Sequence, residues 1–154
     1  MTNRTAYIGL GSNLGDRKGN LIKATAYLAE RAGTILALST LYETEPWGFE
    51  STHKFLNAVV VLRTSLSPME LLDCTRLIEL EMGRITKSDG SYHDRLIDID
   101  LLQVDQLVIH NERLTLPHPL MHQRRFVMEP LAEVAPDIRH PLLGKTMQEL
   151  LNEL

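Results

Sequence analysis

The 154 residues predict an α+β fold in which one antiparallel sheet carries two helices on a single face, and three observations lead there. Strand-like and helix-like patterns alternate in the order strand, helix, strand, strand, helix, strand. Capping and turn residues bound both helical stretches, so each forms a separate connection between strands. The last third is divided by Pro117, Pro119, Pro130, Pro136 and Pro141 into short helical turns. A content of 44% hydrophobic and 23% charged residues suits one compact domain over residues 1–154 and argues against disorder.

Residues Ala6 to Leu10 read as a short buried strand that ends in a Gly-Ser-Asn-Leu-Gly turn starting at Gly11. A helix follows, in which Leu21, Ala24, Leu28 and Ala32 recur at spacings of three and four, with Gly33 in the place of a C-terminal cap. Ile35 to Thr44 alternate as a strand covered on both faces, up to a break at Pro46. The segment from Glu45 to His53 mixes turn formers with Trp47 and Phe49, a composition that marks a lid over a ligand. Phe55 to Arg63 are dense in β-branched and apolar residues, as in a central strand.

Ser67-Pro-Met-Glu70 spells a capping box with proline at the first helical position. Leu71, Thr75, Ile78 and Met82 then mark the buried face of a helix that Gly83 ends. A polar, basic loop from Arg84 to His93 leads to a strand from Leu96 to Val104, expected to pair with Leu107 to Ile109 across an Asp105-Gln106 turn. Helical turns such as Pro130 to Val134 and a terminal helix from about Thr146 to Leu154 close the chain. The order is the split βαβ, ferredoxin-like βαββαβ plan with a C-terminal hairpin and short helices, and it leaves the second sheet face free to bind.

The net charge of -4 disfavours a non-specific nucleic-acid binder, and the aromatic strand signature of sheet-based RNA binders is missing. Arg84, Lys87, Arg95, Arg113, Arg124 and Arg125 nevertheless share a stretch with Asp98 and Asp100, which suits a small anionic ligand. The chain enters a strand without an apolar leader, and no apolar run reaches spanning length, so a cytoplasmic protein without membrane partners is expected. The single Cys74 falls among Leu71, Leu72 and Leu77 and reads as a packed thiol.

Asp98-Ile-Asp100 is the strongest local signal, because strand alternation puts both carboxylates on one face about 6 to 7 Å apart, with Ile97, Ile99 and Leu101 facing away. Hard oxygen ligands on a rigid strand suit Mg²⁺ shared with phosphates, although a lone D-x-D more often serves as a solvated edge. The glycine run from Gly9 to Gly15 fits neither phosphate-loop template and reads as a tight turn, with Asn13 or Asp16 capping the next helix. Thr44, Trp47, Phe55 and Asn57 could frame a flat heteroaromatic ligand, the amide reading its edge. Arg113, Arg124 and His118 are candidate phosphate donors. His118 and His122 lie four apart, but no third ligand supports zinc.

Six motifs in one order give these features a common meaning: Tyr7-Ile-Gly-Leu-Gly-Ser-Asn-Leu-Gly-Asp-Arg17, Tyr42-Glu-Thr-Glu-Pro-Trp-Gly48, Phe55-Leu-Asn57, Ile78-Glu-Leu-Glu-Met-Gly-Arg84, Asp94-Arg-Leu-Ile-Asp-Ile-Asp-Leu101 and Arg113-Leu-Thr-Leu-Pro-His-Pro119. Together they resemble the 6-hydroxymethyl-7,8-dihydropterin pyrophosphokinases, ferredoxin-like enzymes of folate synthesis. The resemblance implies transfer of the β,γ-diphosphate of ATP to the pterin hydroxymethyl group. It implies two Mg²⁺ ions on Asp98 and Asp100, with ATP as co-substrate.

By the same resemblance, pterin contacts would fall on Thr44, Pro46, Trp47 and Asn57, with Phe55 and Phe126 sandwiching the ring. It likewise implies ATP contacts on Glu79, Arg95, Leu101, Arg113, Thr115, His118 and Arg124, with Arg84 and Arg95 assisting catalysis. The glycine loop would shape the floor of the site. Phe55 stands where the family often has tyrosine, and Gly90-Ser-Tyr-His-Asp-Arg95 replaces a common Arg-Trp-Gly-Pro-Arg run, with Tyr92 able to serve for the tryptophan. Only small-molecule partners and a monomer are expected.

Overall fold

The computed structural model describes residues 3–45, 53–83 and 96–154. Its elements are β1 (Arg4–Ser12), α1 (Arg17–Arg31), β2 (Thr34–Leu38), β3 (Tyr42–Thr44), β4 (Phe55–Thr64), α2 (Pro68–Glu81), β5 (Asp98–Val104), β6 (Ile109–His110), β7 (Thr115–Leu116), a 3-10 turn (Met121–Gln123), α3 (Arg125–Val134) and α4 (Met147–Asn152). The main sheet runs β2-β4-β1-β5, with β3 also paired to β4, and every pairing is antiparallel. Inserting β4 between β2 and β1 splits the first βαβ unit, as the ferredoxin-like plan requires.

Alternation along β1, β4 and β5 sends Ala6, Ile8, Leu10, Ala58, Val60, Leu62, Ile99 and Leu101 to one face. There they meet Leu21, Ala24 and Leu28 of α1 and Leu71, Leu72 and Ile78 of α2 in the larger core. Both helices start as their sequences indicate. The Asp16 side chain accepts from the Gly19 N–H at 3.1 Å, and the Ser67–Glu70 capping box is complete. Gly83 ends α2 at φ 104, a left-handed conformation that glycine adopts without strain.

Gly33 caps α1 as its position suggests, its N–H donating to the Leu28 carbonyl at 3.2 Å. Its place is fixed by proximity, because a Cβ there would stand 2.0 Å from the Arg63 carbonyl oxygen of β4. Likewise β1 continues past Leu10 to Ser12, since Gly11 finds ladder partners on both sides in Asn57 and Asp98.

The expected strand from Ile35 to Thr44 divides at Ser39. That side chain accepts the Val59 N–H at 2.9 Å while its own N–H donates to the Val59 carbonyl, so a hydroxyl takes over part of the ladder. Leu36 and Leu38 consequently lie exposed on the sheet edge, against the expectation of two covered faces. The partner of β6 is β7 and not β5. Asp105, at φ 46, turns the chain out of β5, and the Leu107 N–H closes onto the Val104 carbonyl at 3.0 Å. Helix α3 runs through Pro130 from Arg125, longer than the turn expected from Pro130 to Val134.

The second sheet face is only partly free. Tyr7, Val59, Val61 and Leu102 are too apolar to leave in water, and Met121, Val127, Met128, Leu131, Met147 and Leu150 cover them in a second core. A tight turn fastens this layer: the buried His140 ring accepts the Leu142 and Leu143 N–H groups on Nδ1 at 3.2 and 3.1 Å, and packs edge-on against His122 at 5.8 Å. No helix among the described residues is long and apolar enough to cross a membrane.

Candidate active site

The site lies where α3 stops covering the sheet. On this face the central strand offers Gly9 and Gly11, so the β1 strip of the floor is bare backbone, and the flanking strands supply the side chains, Val59 and Leu102 among them. Gly11 stands between Asn57 of β4 and Asp98 of β5, and Gly9 between Val59 and Asp100. The two aspartates alternate with Ile97, Ile99 and Leu101, which are buried on the opposite face. A cleft over this floor is walled by Phe55, Thr44 and Asn57 on one side and by Arg124, Phe126 and Val127 on the other, with Asp98, Asp100 and His118 along its margin.

Asn57 is buried, and its amide is oriented from within the protein. Its Nδ2 donates to the Thr44 hydroxyl at 2.7 Å and more distantly to the Tyr42 carbonyl at 3.5 Å. That leaves Oδ1 over Gly11, 3.2 Å from where a Cβ would stand, as an acceptor at the cleft edge. Arg124 is also buried, with its guanidinium carbon 5.7 Å from the centre of the Phe126 ring. Burial pushes the pKa of Arg124 down from the usual arginine value.

A second cleft lies along the edge of β5 and shares Asp100 and His118 with the first. Leu72 and Arg76 of α2, Leu101, and Arg113, Leu114 and Thr115 of the β6–β7 hairpin line it. His118 joins the two clefts, and its ring is held in place. The His118 N–H donates to the Leu102 carbonyl at 2.8 Å, and Nδ1 accepts the Leu120 N–H at 3.2 Å, which places the proton of the neutral ring on Nε2. Arg113 pairs with Asp73 of α2, so the hairpin is tied to the helix beneath it.

Among the described residues no three His, Cys, Asp or Glu side chains form a metal-binding group. Two carboxylates on one strand face still fit a magnesium ion whose remaining ligands come from phosphate oxygens and water.

The sequence profile of the 7,8-dihydro-6-hydroxymethylpterin-pyrophosphokinase (HPPK) family matches residues 7–136, which include both clefts. The chain belongs to this family. Among relatives of the HPPK chain, the Porphyromonas gingivalis protein named 2-amino-4-hydroxy-6-hydroxymethyldihydropteridine pyrophosphokinase is 55% identical over 137 residues, covering 88% of this chain and 92% of its own. The Bacillus subtilis protein of the same name is 43% identical over 137 residues, covering 88% and 81%. A Plasmodium falciparum HPPK-DHPS crystal structure superposes at a TM-score of 0.80 over 99% of this chain with 18% identity, a likeness of fold. The chain spans 44% of that longer protein.

Of the residues expected in an HPPK site, Thr44, Phe55, Asn57, Asp98, Asp100, Arg124 and Phe126 meet in the first cleft, and Leu101, Arg113, Thr115 and His118 in or beside the second. Glu79 is placed apart: it is buried against the helix-side core, where its carboxylate accepts the Ile99 N–H at 2.8 Å. Pro46, Trp47, Arg84, Tyr92 and Arg95 lie outside the described residues, as do most of both expected lids. Arg76 was not anticipated. Its signal is its spacing, since it follows Leu72 by four and precedes Glu79 by three on the side of α2 that meets β5.

Proposed function

We propose that the protein transfers the β,γ-diphosphate of ATP to the hydroxymethyl group of 6-hydroxymethyl-7,8-dihydropterin, giving the pterin diphosphate and AMP in folate biosynthesis. The observation that carries this reading is the pair of clefts meeting at Asp100 and His118, one lined by aromatic rings and an oriented amide, the other by arginine and threonine.

In this reading the pterin lies on the Gly9 and Gly11 floor between Phe55 and Phe126, and the Asn57 amide, held by Thr44, reads its edge. Pro46 and Trp47 complete the pterin contacts. ATP occupies the β5 edge against Leu101, Arg113, Thr115 and His118, with Arg124 reaching its phosphates and Glu79 supporting that side. The hydroxymethyl oxygen attacks the β-phosphorus in line, its bond to phosphorus forms as the bond to the AMP oxygen breaks and the hydroxyl proton is released to water, and negative charge gathers on the transferred group. His118 donates from Nε2, and the arginines, Arg84 and Arg95 among them, oppose that charge. Asp98 and Asp100 would hold two Mg²⁺ ions, which supply charge neutralisation and polarise the attacking hydroxyl.

The same reading makes the 154 residues one catalytic domain acting as a monomer in the cytoplasm, without nucleic-acid or membrane partners. Incubation with ATP, Mg²⁺ and the reduced pterin should release AMP only when the pterin is present. ATP cleavage at an equal rate without pterin would instead indicate a hydrolase.

A further inference from the structure

Glu133 lies on α3, seven residues after Phe126. Two helical turns place both on the same side of the helix, about 10 Å apart along its axis. Phe126 faces the cleft, whereas Glu133 reaches the chain that enters β3. Its carboxylate accepts the Thr40 N–H at 2.9 Å, the Thr40 hydroxyl at 2.8 Å and the Tyr42 hydroxyl at 2.6 Å. Burial raises the carboxyl's pKa, but the hydrogen bonds from Tyr42 and Thr40 outweigh it and hold the group below the usual glutamate range.

Three donors from two residues, Thr40 and Tyr42, converge on this one surface carboxylate. The break at Ser39 makes it possible, because there the chain leaves the β4 ladder and turns its donors toward α3. Beyond the break, β3 pairs again with β4, bringing Tyr42 opposite Asn57 and Thr44 opposite Phe55. Thr44 in turn fixes the Asn57 amide at 2.7 Å. Beside the packing of α3 on β4, Glu133 thus ties the two walls of the first cleft together: one wall is α3 with Phe126, and the other is β3 with the pair that orients Asn57.

We infer that Glu133 is a positioning residue for the pterin, setting the separation between the Phe126 wall and the Asn57 amide without touching either substrate. This rests on the pyrophosphokinase reading above. The contacts are charge-assisted and partly exposed, so removing them should relax the cleft without unfolding the protein. The ATP cleft lies across β5 and shares no residue with the latch.

Steady-state kinetics of Glu133→Ala, Glu133→Gln and Tyr42→Phe, each varied in pterin and in ATP, test this beside the wild-type enzyme. Glu133→Ala should raise KM for the pterin about 10-fold or more, the order expected when a reacting group is misplaced by a fraction of an ångström, while KM for ATP stays within about twofold. Tyr42→Phe should raise the pterin KM less. Glu133→Gln should recover most of the loss, since its amide oxygen still accepts from Tyr42 and Thr40. An unchanged pterin KM in Glu133→Ala, or both KM values rising together with a fall in Tm, would overturn the inference. Should Glu133→Ala not fold, Tyr42→Phe decides by the same split. A wild-type protein that forms no AMP with pterin would reject the activity itself, a result distinct from active variants with unaltered KM.

Discussion

The Glu79 carboxylate accepts the Ile99 N–H at 2.8 Å, at the peptide flanked by Asp98 and Asp100. Strand β5 is at the sheet edge, so its outward amides need partners from elsewhere, and α2 supplies one. Glu79→Ala should leave a buried donor and cost about 1–3 kcal/mol of stability. It should also raise the Mg²⁺ concentration needed for half-maximal activity, because the aspartates lose their fixed backbone. Glu79→Gln keeps an acceptor and should lose less on both counts. Chemical denaturation and a Mg²⁺ titration measure the two effects, and an alanine variant of native stability would contradict the account.

Asp100 borders both clefts. Asp100→Ala should lower kcat by more than about 100-fold, as loss of a transition-state electrostatic stabiliser commonly does. Circular dichroism should show the fold retained. Near-normal turnover at ordinary Mg²⁺ would remove Asp100 from the mechanism.

A methyl group at Gly11 would stand 3.2 Å from Asn57 Oδ1 and 3.5 Å from the Phe55 ring. Gly11→Ala should therefore raise KM for the pterin roughly 10-fold by filling the floor, with KM for ATP nearly unchanged. Equal shifts in both constants would show that the floor is not where the pterin lies.

Gly33→Ala tests packing and not chemistry. Its Cβ would meet the Arg63 carbonyl oxygen at 2.0 Å, and backbone cannot swing aside as a side chain can. A loss of at least about 1–3 kcal/mol is expected, the usual cost of overpacking, readable as a lower denaturation midpoint.

Burial, and the neighbouring His122 charge after it, lowers the pKa of His140. The unfolded chain takes up this proton near the ordinary histidine value of about 6.5, and the folded chain only at lower pH. The contribution of the neutral ring is thus complete above about pH 6.5 and is lost as pH falls through the folded value. Tm should drop between pH 7 and 5, and more steeply in the wild type than in His140→Asn, whose side-chain oxygen can still accept the Leu142 and Leu143 N–H groups. Parallel slopes would exclude His140 as the source.

The sheet and its two helices were legible because periodicity and caps are local: Ser67 and Glu70, three residues apart, spell out the start of α2. The second core was not, since Tyr7, Val59 and Val61 read as members of buried strands without revealing that α3 covers them. The break at Ser39 was hidden for a similar reason, because a serine in an alternating run gives no sign that its hydroxyl replaces a ladder acceptor. At the site, Asp98 and Asp100 were legible from alternation. The proximity of Asn57 to Asp98 depends on both pairing with Gly11, a relation that only the strand order creates.

The bare β1 strip in the floor of the first cleft also bears on inhibition. A compound seated over Gly9 and Gly11 contacts main-chain atoms that a single mutation cannot delete. Any side chain introduced at Gly11 to expel the compound would crowd Asn57 and Phe55 as well, and on the reading proposed above would expel the pterin by the same contact. On that reading, escape from such a compound would have to come from the walls, where Phe55 and Phe126 can change, and each change there would also weaken the grip on the pterin.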